Sequence, residues 1–500
     1  MNRLTITKVN ESFLEIQGEL DILNEIYSRY SEHKAGYLYS MAFKDRRWDG
    51  KKHFFNTRNG MLPYGFLPDL LAYCKKNCYE YDLQGVDETK LTRTLDEAKY
   101  KESIDYFMRN SGMTIRPYQD DAVKAGLTHK RGILLSCTGS GKSLMIYNIV
   151  RALRKENYKH ILIIVPTIPL IYQMRDDMID YGYDDYENEL TIQGDGNKED
   201  ETKPVLISTW ESLQHKETDY FEKFDAVIVD ETHGARAMKL FNILEFCVNA
   251  KVKLGCTGTL PTDPLEQMTI QANLGNVIYE LKSHELIEQG VLSPITIANL
   301  FVKYPLEFVM QNKSRSYPEE VKIVESFERR YNVLDYIISH RNKNNNILIL
   351  VHHVQHLKDT TAWLKNKYPD RKIESISGAV KGSVRNDIRK NLNEEDGTIL
   401  VATYQTCSTG VNIPKLHDVI LFANSKSKIV VLQTIGRGLR KHHSKNKVVL
   451  FDIIDDLSYK TRTGKTIDNY CIKHWRERQA YYEGEHFKTV EQVYDLAANK

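Results

Sequence analysis

Short apolar runs that alternate with longer helical stretches constrain the fold of this 500-residue chain more than any other feature. Runs of this kind are typical of strands buried on both faces of a parallel sheet, and their alternation with helices predicts βαβ units. A first series occupies residues 132–136, 161–165, 205–208, 226–229 and 253–256, and a second occupies 347–351, 373–376, 398–402, 419–422 and 448–451. We therefore predict an α/β protein with two tandem parallel sheets.

The remaining segments define the predicted domain organisation. We expect a small N-terminal α+β domain over 1–84, a linker over 85–111 that Gly112 ends, α/β domains over 112–285 and 286–456, and a short helical C-terminal tail over 457–500. A hydrophobic content of 41% and a charged content of 27% indicate a globular enzyme rather than a disordered chain. No apolar run is long enough to span a bilayer, the N-terminus has no signal core, and the cysteines are scattered. We expect a cytoplasmic protein with reduced thiols and no membrane partner.

A glycine-rich segment follows the first predicted strand and precedes a helical stretch. Its residues are Thr138, Gly139, Ser140, Gly141, Lys142 and Ser143. Glycines let main-chain N–H groups close around phosphate oxygens, the lysine reaches the β- and γ-phosphates, and the hydroxyl of Ser143 holds Mg²⁺. Ser136 replaces the first glycine of the strict pattern, but strand, loop and helix are in the order that a phosphate-binding loop needs.

Two carboxylates follow the apolar strand at 226–229. We assign Asp230 to the nucleotide-bound Mg²⁺ and Glu231 to the water that attacks the phosphate. His233 is placed to relay between this site and the second domain. The alternative is a solvated pair of carboxylates that caps a loop, and the phosphate loop upstream argues against it.

Basic residues in the second domain are expected to bind the triphosphate of a nucleotide. Arg437 and Arg440 are three residues apart, so on a helix they share a face and can act as arginine fingers, with Gln433 beside them. The alternative is an ordinary basic surface helix. Lysines free to line a DNA path in this region are Lys426, Lys428, Lys441, Lys445 and Lys447.

A basic stripe in the N-terminal domain predicts contact with nucleic acid. Residues 34–60 hold seven Lys or Arg against two Asp, and aromatic residues are interleaved with them. We expect DNA contacts from Arg46, Arg47, Trp48, Lys51 and Lys52. The alternative is that the rings belong to the core and the charges to a solvated face.

Nine ordered motifs, from Gln119 through TGSGKS, VPTIPL, STW, DETH, TGTL, ISGAV and STGVNIP to QTIGRGLR, resemble those of superfamily 2 DExH helicases. The N-terminal segments RRWDGKKHFF and GMLPYGF, the stretch VLQTIGRGLRKH and the tail are also similar to the UvsW family of phage DNA helicases. The resemblance implies two RecA-like domains that bind ATP and Mg²⁺ between them.

The resemblance also implies roles for individual residues. Gln119 would read adenine and Gly410 would lie at the nucleotide. Thr257 and Thr259 would couple hydrolysis to strand contacts, while Thr167, Thr209 and Thr403 would touch the nucleic-acid backbone. Family members remodel forks, Holliday junctions and R-loops in phage recombination, repair and replication. We expect a monomer that acts on branched, duplex and single-stranded DNA and that meets RNA in R-loops. Recombination or single-strand-binding proteins are the expected protein partners. The expected location is the host cytoplasm if the protein is phage-encoded.

Other functions remain open at this point. The alternatives are a duplex translocase that does not separate strands, an RNA helicase, and an ATP-gated annealing module. Asp69, Glu88 and Lys90 resemble nuclease metal ligands, but the pattern is short and we interpret them as ordinary surface residues.

Overall fold

The computed structural model divides the chain into two compact units, Met1–Leu281 and Lys282–Lys500. It describes residues 3–232, 237–314, 316–377, 388, 392, 394–408, 415–423, 435–436, 439, 445 and 447–498. The predicted fold class is confirmed: a small α+β domain precedes two seven-stranded parallel sheets, one in each unit. None of the helices in the described part of the chain has the length and hydropathy needed to span a membrane.

The N-terminal domain is built on a mixed four-stranded sheet of order β5-β2-β1-β6. Leu4, Ile6, Leu14 and Ile16 alternate along its two central strands and are at most 1% exposed, so one face of the sheet forms the core. Strands β3 and β4 pair separately as an antiparallel ribbon. The elements are β1 (Arg3–Lys8), β2 (Phe13–Gly18), α1 (Leu20–Arg29), β3 (Ser31–His33), α2 (Met41–Lys44), β4 (Lys51–His53), β5 (Met61–Pro63), α3 (Leu67–Lys76) and β6 (Glu80–Gln84).

The first parallel sheet has the strand order β13-β7-β12-β11-β8-β10-β9. Because all its strands run in one direction, their carboxyl ends meet at one edge, where polar loops follow buried strands. Its strands are β7 (Arg131–Ser136), β8 (Ile161–Val165), β9 (Leu190–Gln193), β10 (Val205–Thr209), β11 (Ala226–Asp230), β12 (Val252–Thr257) and β13 (Val277–Leu281). The helices of this part are α4 (Glu97–Ser111), α5 (Pro117–His129), α6 (Lys142–Lys155), α7 (Ile168–Asp180), α8 (Tyr186–Glu189), α9 (Trp210–Leu213), α10 (Ala237–Phe246) and α11 (Pro264–Leu274).

Helix α4 occupies the second half of the segment predicted as a linker. It ends at Gly112, which adopts φ +68° as a helix C-terminus requires. Tyr100, Ile104 and Phe107 are buried although the rest of the segment is polar. These three side chains recur on one helical face, so the segment is a packed helix and not only a spacer.

The N-terminal domain packs tightly against α11. A Cβ atom at Gly65 would lie 2.1 Å from the carbonyl oxygen of Gln271 and 2.5 Å from that of Ala272. Ala272 belongs to the same hydrophobic cluster as the core of the N-terminal domain. The two backbones therefore approach at a distance that only glycine allows.

Two cations, the half-buried Arg131 and the buried Lys253, hold the same interface together. Arg131, at the start of β7, donates to the carbonyl oxygen of Glu11 (2.5 Å). Lys253, in the middle of β12, donates to Ser12 Oγ (2.7 Å) and is 1% exposed. Burial lowers the pKa of Lys253 to about 7. Arg131 also donates to the carbonyl oxygen of Asn273 (2.7 Å) and Lys253 to that of Leu244 (2.7 Å), so the N-terminal domain adds to the partners that these cations have in their own domain.

We predict that Gly65→Ala lowers the free energy of unfolding by about 1–3 kcal/mol, because the added methyl group must displace main-chain carbonyls rather than side chains. The measurement is the urea-unfolding midpoint of the full-length protein. Gly484→Ala is the matched control, since a Cβ there meets nothing within 4 Å. It should leave the midpoint unchanged or raise it slightly, and equal midpoints for both variants would contradict the prediction.

The second unit contains a parallel sheet of order β16-β17-β15-β18-β19-β14-β22. Each apolar run of the second series forms one of these strands. The strands are β14 (Ile295–Lys303), β15 (Ile347–Val351), β16 (Ile373–Ile376), β17 (Ile399–Thr403), β18 (Asp418–Leu421), β19 (Val448–Asp456) and β22 (Lys488–Asp495), and β20 (Tyr459–Lys460) and β21 (Thr466–Ile467) form a separate hairpin. The helices are α12 (Ser283–Glu288), α13 (Leu306–Gln311), α14 (Tyr317–Glu325), α15 (Tyr331–Ser339), α16 (Val354–Lys367), α17 (Tyr404–Ser408) and α18 (Tyr470–Gly484).

The C-terminal segment differs from the predicted helical tail. Its helix α18 is present, but β20 and β21 precede it and β22 follows it as an edge strand paired with β14 over eight residues. Within β22 only Tyr494 is buried, so the period-2 pattern that marks a strand is weak in the sequence. The tail is therefore part of the second sheet.

Two buried ion pairs on β19 fix the surrounding helices. Arg478 of α18 donates from Nε and Nη2 to Asp452 (2.8 Å each), and Arg330 donates from the same atoms to Asp455 (2.8 Å each). All four side chains are at most 3% exposed. Removing one member of such a pair would leave a buried charge and cost about 3–5 kcal/mol.

Candidate nucleotide site and nucleic-acid surface

The loop between β7 and α6 has the geometry of a phosphate cradle. Gly139 and Gly141 adopt φ +91° and +89°, and Gly141 is the N-cap of the 14-residue helix α6. The first N–H groups of that helix have no partner within it and carry its positive dipole end. An anion such as a phosphate group is therefore favoured at this loop.

Gln119 is hydrogen-bonded to the phosphate cradle. Its Nε2 donates to the carbonyl oxygen of Ser140 (2.8 Å), and its Oε1 accepts from the main-chain N–H of Arg116 (3.0 Å). A Cβ at Gly141 would lie 2.5 Å from the same Nε2. Gln119 is thus fixed against the cradle, and its predicted role in reading adenine stays a prediction.

Lys142 and two carboxylates meet at the carboxyl edge of the sheet. Strand β12 lies between β7 and β11, so the loops after these three strands are neighbours. Lys142 Nζ is 3.4 Å from Glu231 Oε1. Glu231 has φ +55°, a left-handed conformation that is uncommon for a residue with a Cβ, and its N–H donates to the carbonyl oxygen of Cys256 (2.7 Å). That hydrogen bond to β12 helps to fix this conformation.

Burial and neighbouring charges shift the pKa of Lys142 and that of Asp230. Burial acts to lower the pKa of Lys142, but the carboxylates of Glu231 and Asp230 more than offset burial, so its pKa is raised. Burial, and then the adjacent Glu231, raise the pKa of Asp230 well above its usual range. Strongly perturbed groups beside an anion cradle mark a functional site.

Asp230 and Ser143 fit a magnesium ion. Asp230 Oδ1 is buried and has no hydrogen-bond partner among the described residues, and Ser143 is the second residue of α6. No group of three His, Cys, Asp or Glu that could hold a metal occurs in the described part of the chain. One carboxylate is the donor set expected where Mg²⁺ arrives with substrate phosphates and keeps several waters.

The loop after β12 touches both the cradle and the carboxylates. Thr257 Oγ1 lies 3.3 Å from Glu231 Oε2 and donates to the carbonyl oxygen of Thr259 (2.9 Å). A Cβ at Gly258 would lie 3.3 Å from Thr138 Oγ1 and 3.5 Å from Lys142 Nζ. The predicted site residues omit Gly258, although it stands between the two threonines that the motif singled out. The coupling role of Thr257 and Thr259 stays a prediction.

Two of the three threonines predicted to contact nucleic acid form hydrogen bonds within the protein. Thr209 is 1% exposed and accepts from the N–H of Ser212 (3.2 Å), which caps α9. Thr403, at the equivalent end of β17, is 5% exposed and bonds to Thr406 Oγ1 (2.8 Å). Thr167 precedes α7, and its buried Oγ1 has no partner among the described residues. DNA contact by these threonines stays a prediction.

The basic stripe is partly exposed. Arg46 and Arg47 are exposed, and Arg47 forms a surface ion pair with Asp45 (2.5 Å). Lys51 and Lys52 are half-buried. Trp48 is also half-buried, and its Nε1 donates to the carbonyl oxygen of Lys51 (2.8 Å). The arginines present charge to solvent, whereas the indole is held within the domain.

The prediction that Lys445 lines a DNA path is wrong. Lys445 is 8% exposed, and its Nζ donates to the carbonyl oxygen of Leu416 (3.1 Å). Burial lowers its pKa to about 7. The charge pattern in the sequence does not reveal that this ammonium points into the domain.

The carboxylates that resemble nuclease ligands are paired with cations. Asp69 accepts from Arg29 (2.8 Å), and Glu88 accepts from Lys75 (2.5 Å). Both are thus ordinary ion-pair members. Predicted site residues that lie outside the described residues are His233, Gly410, Gln433, Arg437 and Arg440, together with the DNA-path lysines Lys426, Lys428 and Lys441.

Comparison with known proteins adds family information to this geometry. Residues 112–262 match the family model described as the res subunit of type III restriction enzymes, and residues 329–442 match the helicase conserved C-terminal domain. The chain is 31% identical over 497 residues to the ATP-dependent DNA helicase UvsW of Enterobacteria phage T4. The aligned region covers 97% of this chain and 98% of that protein. The chain is 22% identical over 457 residues to a putative helicase of a Sulfolobus islandicus filamentous virus, covering 86% of this chain and 78% of that protein.

Solved structures agree with the fold. The crystal structure of T4 UvsW matches with a TM-score of 0.50 and 29% identity over 99% of this chain and 100% of that one. A fragment of a putative HsdR subunit of a type I restriction enzyme from Vibrio vulnificus matches with a TM-score of 0.56 at 17% identity, over 89% of this chain and 78% of that one. The second match supports the fold alone.

We predict that Lys142→Ala lowers the rate of ATP hydrolysis at least about 100-fold, because the ammonium is the cation at the phosphate cradle and its side chain is only 11% exposed. Steady-state phosphate release is the measurement, and DNA binding should persist. Lys155→Ala, at the other end of α6 and in a surface pair with Glu102, is the matched control and should hydrolyse ATP normally. Undiminished turnover in Lys142→Ala would contradict the assignment.

Proposed function

This chain belongs to the UvsW family of superfamily 2 DNA helicases, and we propose that it couples ATP hydrolysis to the opening and remodelling of branched DNA. The family makes it an ATP-dependent DNA helicase and therefore an ATP hydrolase. Forks, Holliday junctions and R-loops are the proposed substrates, in phage recombination, repair and replication. Recombination or single-strand-binding proteins are proposed partners, and the host cytoplasm is the proposed location.

The observation that carries the proposal is the meeting of Lys142, Asp230 and Glu231 beside a glycine cradle. The cradle N–H groups and Lys142 would bind the phosphates of ATP, and Ser143 and Asp230 would hold its Mg²⁺. The ion, when bound, neutralises charge that develops on the transferred phosphoryl group. Glu231 would then orient and deprotonate the attacking water.

The raised pKa of Lys142 keeps its charge at physiological pH, which phosphate binding needs. Hydrolysis would be sensed through Thr257, since its hydroxyl lies 3.3 Å from Glu231 Oε2 and also bonds to Thr259. A loop that contacts both the general base Glu231 and the phosphate cradle can change position when the γ-phosphate leaves. Arg437, Arg440 and Gln433 remain proposed contributors to hydrolysis.

The DNA partner is supported by family membership and by charge. The N-terminal domain exposes Arg46 and Arg47, and it is packed on α11 by the close approach at Gly65. Basic groups bind phosphate irrespective of sequence, as a protein that acts on DNA shape requires. A domain that binds duplex DNA while attached to the ATP-binding sheet can keep the enzyme at a branch.

We predict ATP-dependent strand separation on a four-way junction, a fork and an R-loop, with less activity on a blunt duplex, and no activity for Lys142→Ala on any of them. Fluorescently labelled strands resolved on gels provide the measurement. ATP hydrolysis with no strand separation on any substrate would contradict the proposal. Displacement of a triplex strand in that case would identify a duplex translocase, and stimulation by RNA but not DNA would identify an RNA helicase.

A further inference from the structure

Strands β20 and β21 of the second unit belong to a short hairpin, residues 457–467, which we name the basic hairpin. Its two strands are antiparallel, and Tyr459 on the first pairs with Ile467 on the second. Gly464 in the connecting loop has φ +80°, and a Cβ there would meet no atom of the described residues within 4 Å. The loop therefore projects from the domain.

The base of the basic hairpin is fixed by a buried carboxylate. Glu320 is 0% exposed and accepts from Asn469 Nδ2 (2.8 Å). It also accepts from the N–H groups of Tyr470 (3.0 Å) and Cys471 (2.7 Å), the first residues of α18. Asn469 Oδ1 in turn accepts from the N–H of Leu457 (3.2 Å), which closes the base of the hairpin. A polar network satisfied in this way holds the hairpin and α18 in one arrangement.

The basic hairpin carries three cations and no carboxylate. Lys460, Arg462 and Lys465 are exposed, and none of them forms an ion pair within the described part of the chain. Asp456 and Asp468, the carboxylates on either side, are bonded to other residues. Because the chain has 69 Lys and Arg against 67 Asp and Glu, this run of unpaired cations is a local excess of positive charge.

Two more lysines extend the positive surface around the base of the basic hairpin. Lys313 Nζ lies 4.4 Å from the centre of the Tyr459 ring, and Lys473 Nζ lies 5.1 Å from the centre of the Tyr470 ring. Both lysines are exposed, whereas both rings are half-buried. The cations are thus spread along a projecting element and do not converge on one point, which matches an extended polyanion better than a single phosphate group.

The exposed side chains of the basic hairpin distinguish between classes of partner. Those at 460 and 462–466 are lysine, arginine and threonine, with Gly464 among them and no apolar side chain. A protein interface usually has an apolar centre, and a single-strand site usually has exposed rings on which bases stack. Cations and hydroxyl groups without either feature are the donors that contact the phosphates of a duplex.

The basic hairpin lies at the edge of the second sheet where nucleic acid is expected. It follows Asp456, the last residue of β19, while Thr403, predicted to touch the nucleic-acid backbone, is the last residue of β17. Both strands are parallel members of one sheet, so both residues lie at its carboxyl edge. Three strand spacings separate β17 from β19, roughly 14 Å in all, which is about the length of four base pairs. One duplex can therefore reach both.

We propose that the basic hairpin binds the phosphate backbone of duplex DNA and gives the second unit a DNA contact outside the nine helicase motifs. This inference rests on the proposed function and deepens it by naming the element that holds the duplex on this unit. The contact is independent of base sequence, since it is made by cations and hydroxyl groups to phosphates. The fixed base of the hairpin reduces the entropy lost when DNA binds.

The test measures anisotropy of a fluorescein-labelled blunt duplex with the full-length protein, without nucleotide, from about 50 to about 200 mM KCl. The hairpin variant combines Lys460→Gln, Arg462→Gln and Lys465→Gln. It should reduce the slope of log Kd against log salt concentration by about 2–3, because each phosphate contact contributes about 0.9 to that slope. Its Kd at about 100 mM KCl should rise at least about five-fold.

The matched control removes three exposed cations from the opposite edge of the same sheet: Lys343→Gln, Lys365→Gln and Lys488→Gln. These lysines lie before β15, near the end of α16 and at the start of β22. The control changes the net charge by the same amount and should keep the wild-type slope. A charge-conserving variant of the hairpin, with Lys460→Arg, Arg462→Lys and Lys465→Arg, should also keep it. Thermal midpoints of all three variants should stay within about 2 °C of wild type, because the replaced side chains are exposed.

An unchanged slope in the hairpin variant would overturn the proposal, and so would equal reductions in the hairpin variant and the control. Strand separation of branched DNA by wild type, together with a slope that does not depend on the hairpin, would reject the hairpin contact and keep the proposed function. A hairpin-dependent slope without strand separation on any branched substrate would keep the hairpin contact and reject the proposed function.

Discussion

A lysine ammonium and two carboxylates that meet at the carboxyl edge of one parallel sheet set the requirements for the rest of the first unit. Lys142 and Glu231 lie 3.4 Å apart, and Asp230 carries a buried oxygen without a partner among the described residues. Like charges on adjacent carboxylates are tolerated because the lysine lies beside them. The strand order puts β12 between β7 and β11, and that order alone brings the three loops together. The fold therefore positions charge that a nucleotide and its metal ion would complete.

Hydrogen bonds from cations and close backbone packing attach the N-terminal domain to the same sheet. Lys253 and Arg131 are cations of the ATP-binding sheet that donate to Ser12 and Glu11 of the N-terminal domain as well as to carbonyl oxygens of their own domain. Gly65 lets the two backbones touch. Close packing with satisfied polar groups makes the two parts one cooperative body. The basic stripe on that domain is consequently carried with the sheet that binds ATP.

The sequence predicts much of this architecture because its signals are local. Apolar runs identify the central strands of both sheets, and the glycine-rich loop and the carboxylates after β11 identify the cradle. Strand β22 and the burial of Lys445 escape prediction, because an edge strand has little apolar alternation and a lysine's direction depends on tertiary contacts. The aromatic residues of segment 34–60 show the same limit of prediction from sequence. Composition does not distinguish Tyr37, which packs inside, from Tyr39, which is 83% exposed.

The most direct test of the central claim separates nucleotide binding from hydrolysis at Glu231. Glu231→Gln keeps the side chain's size and removes the charge that would deprotonate water. The account predicts that this variant binds a fluorescent ATP analogue with Mg²⁺ within about three-fold of wild type, while its single-turnover hydrolysis rate falls at least about 100-fold. Hydrolysis at the wild-type rate would contradict the account.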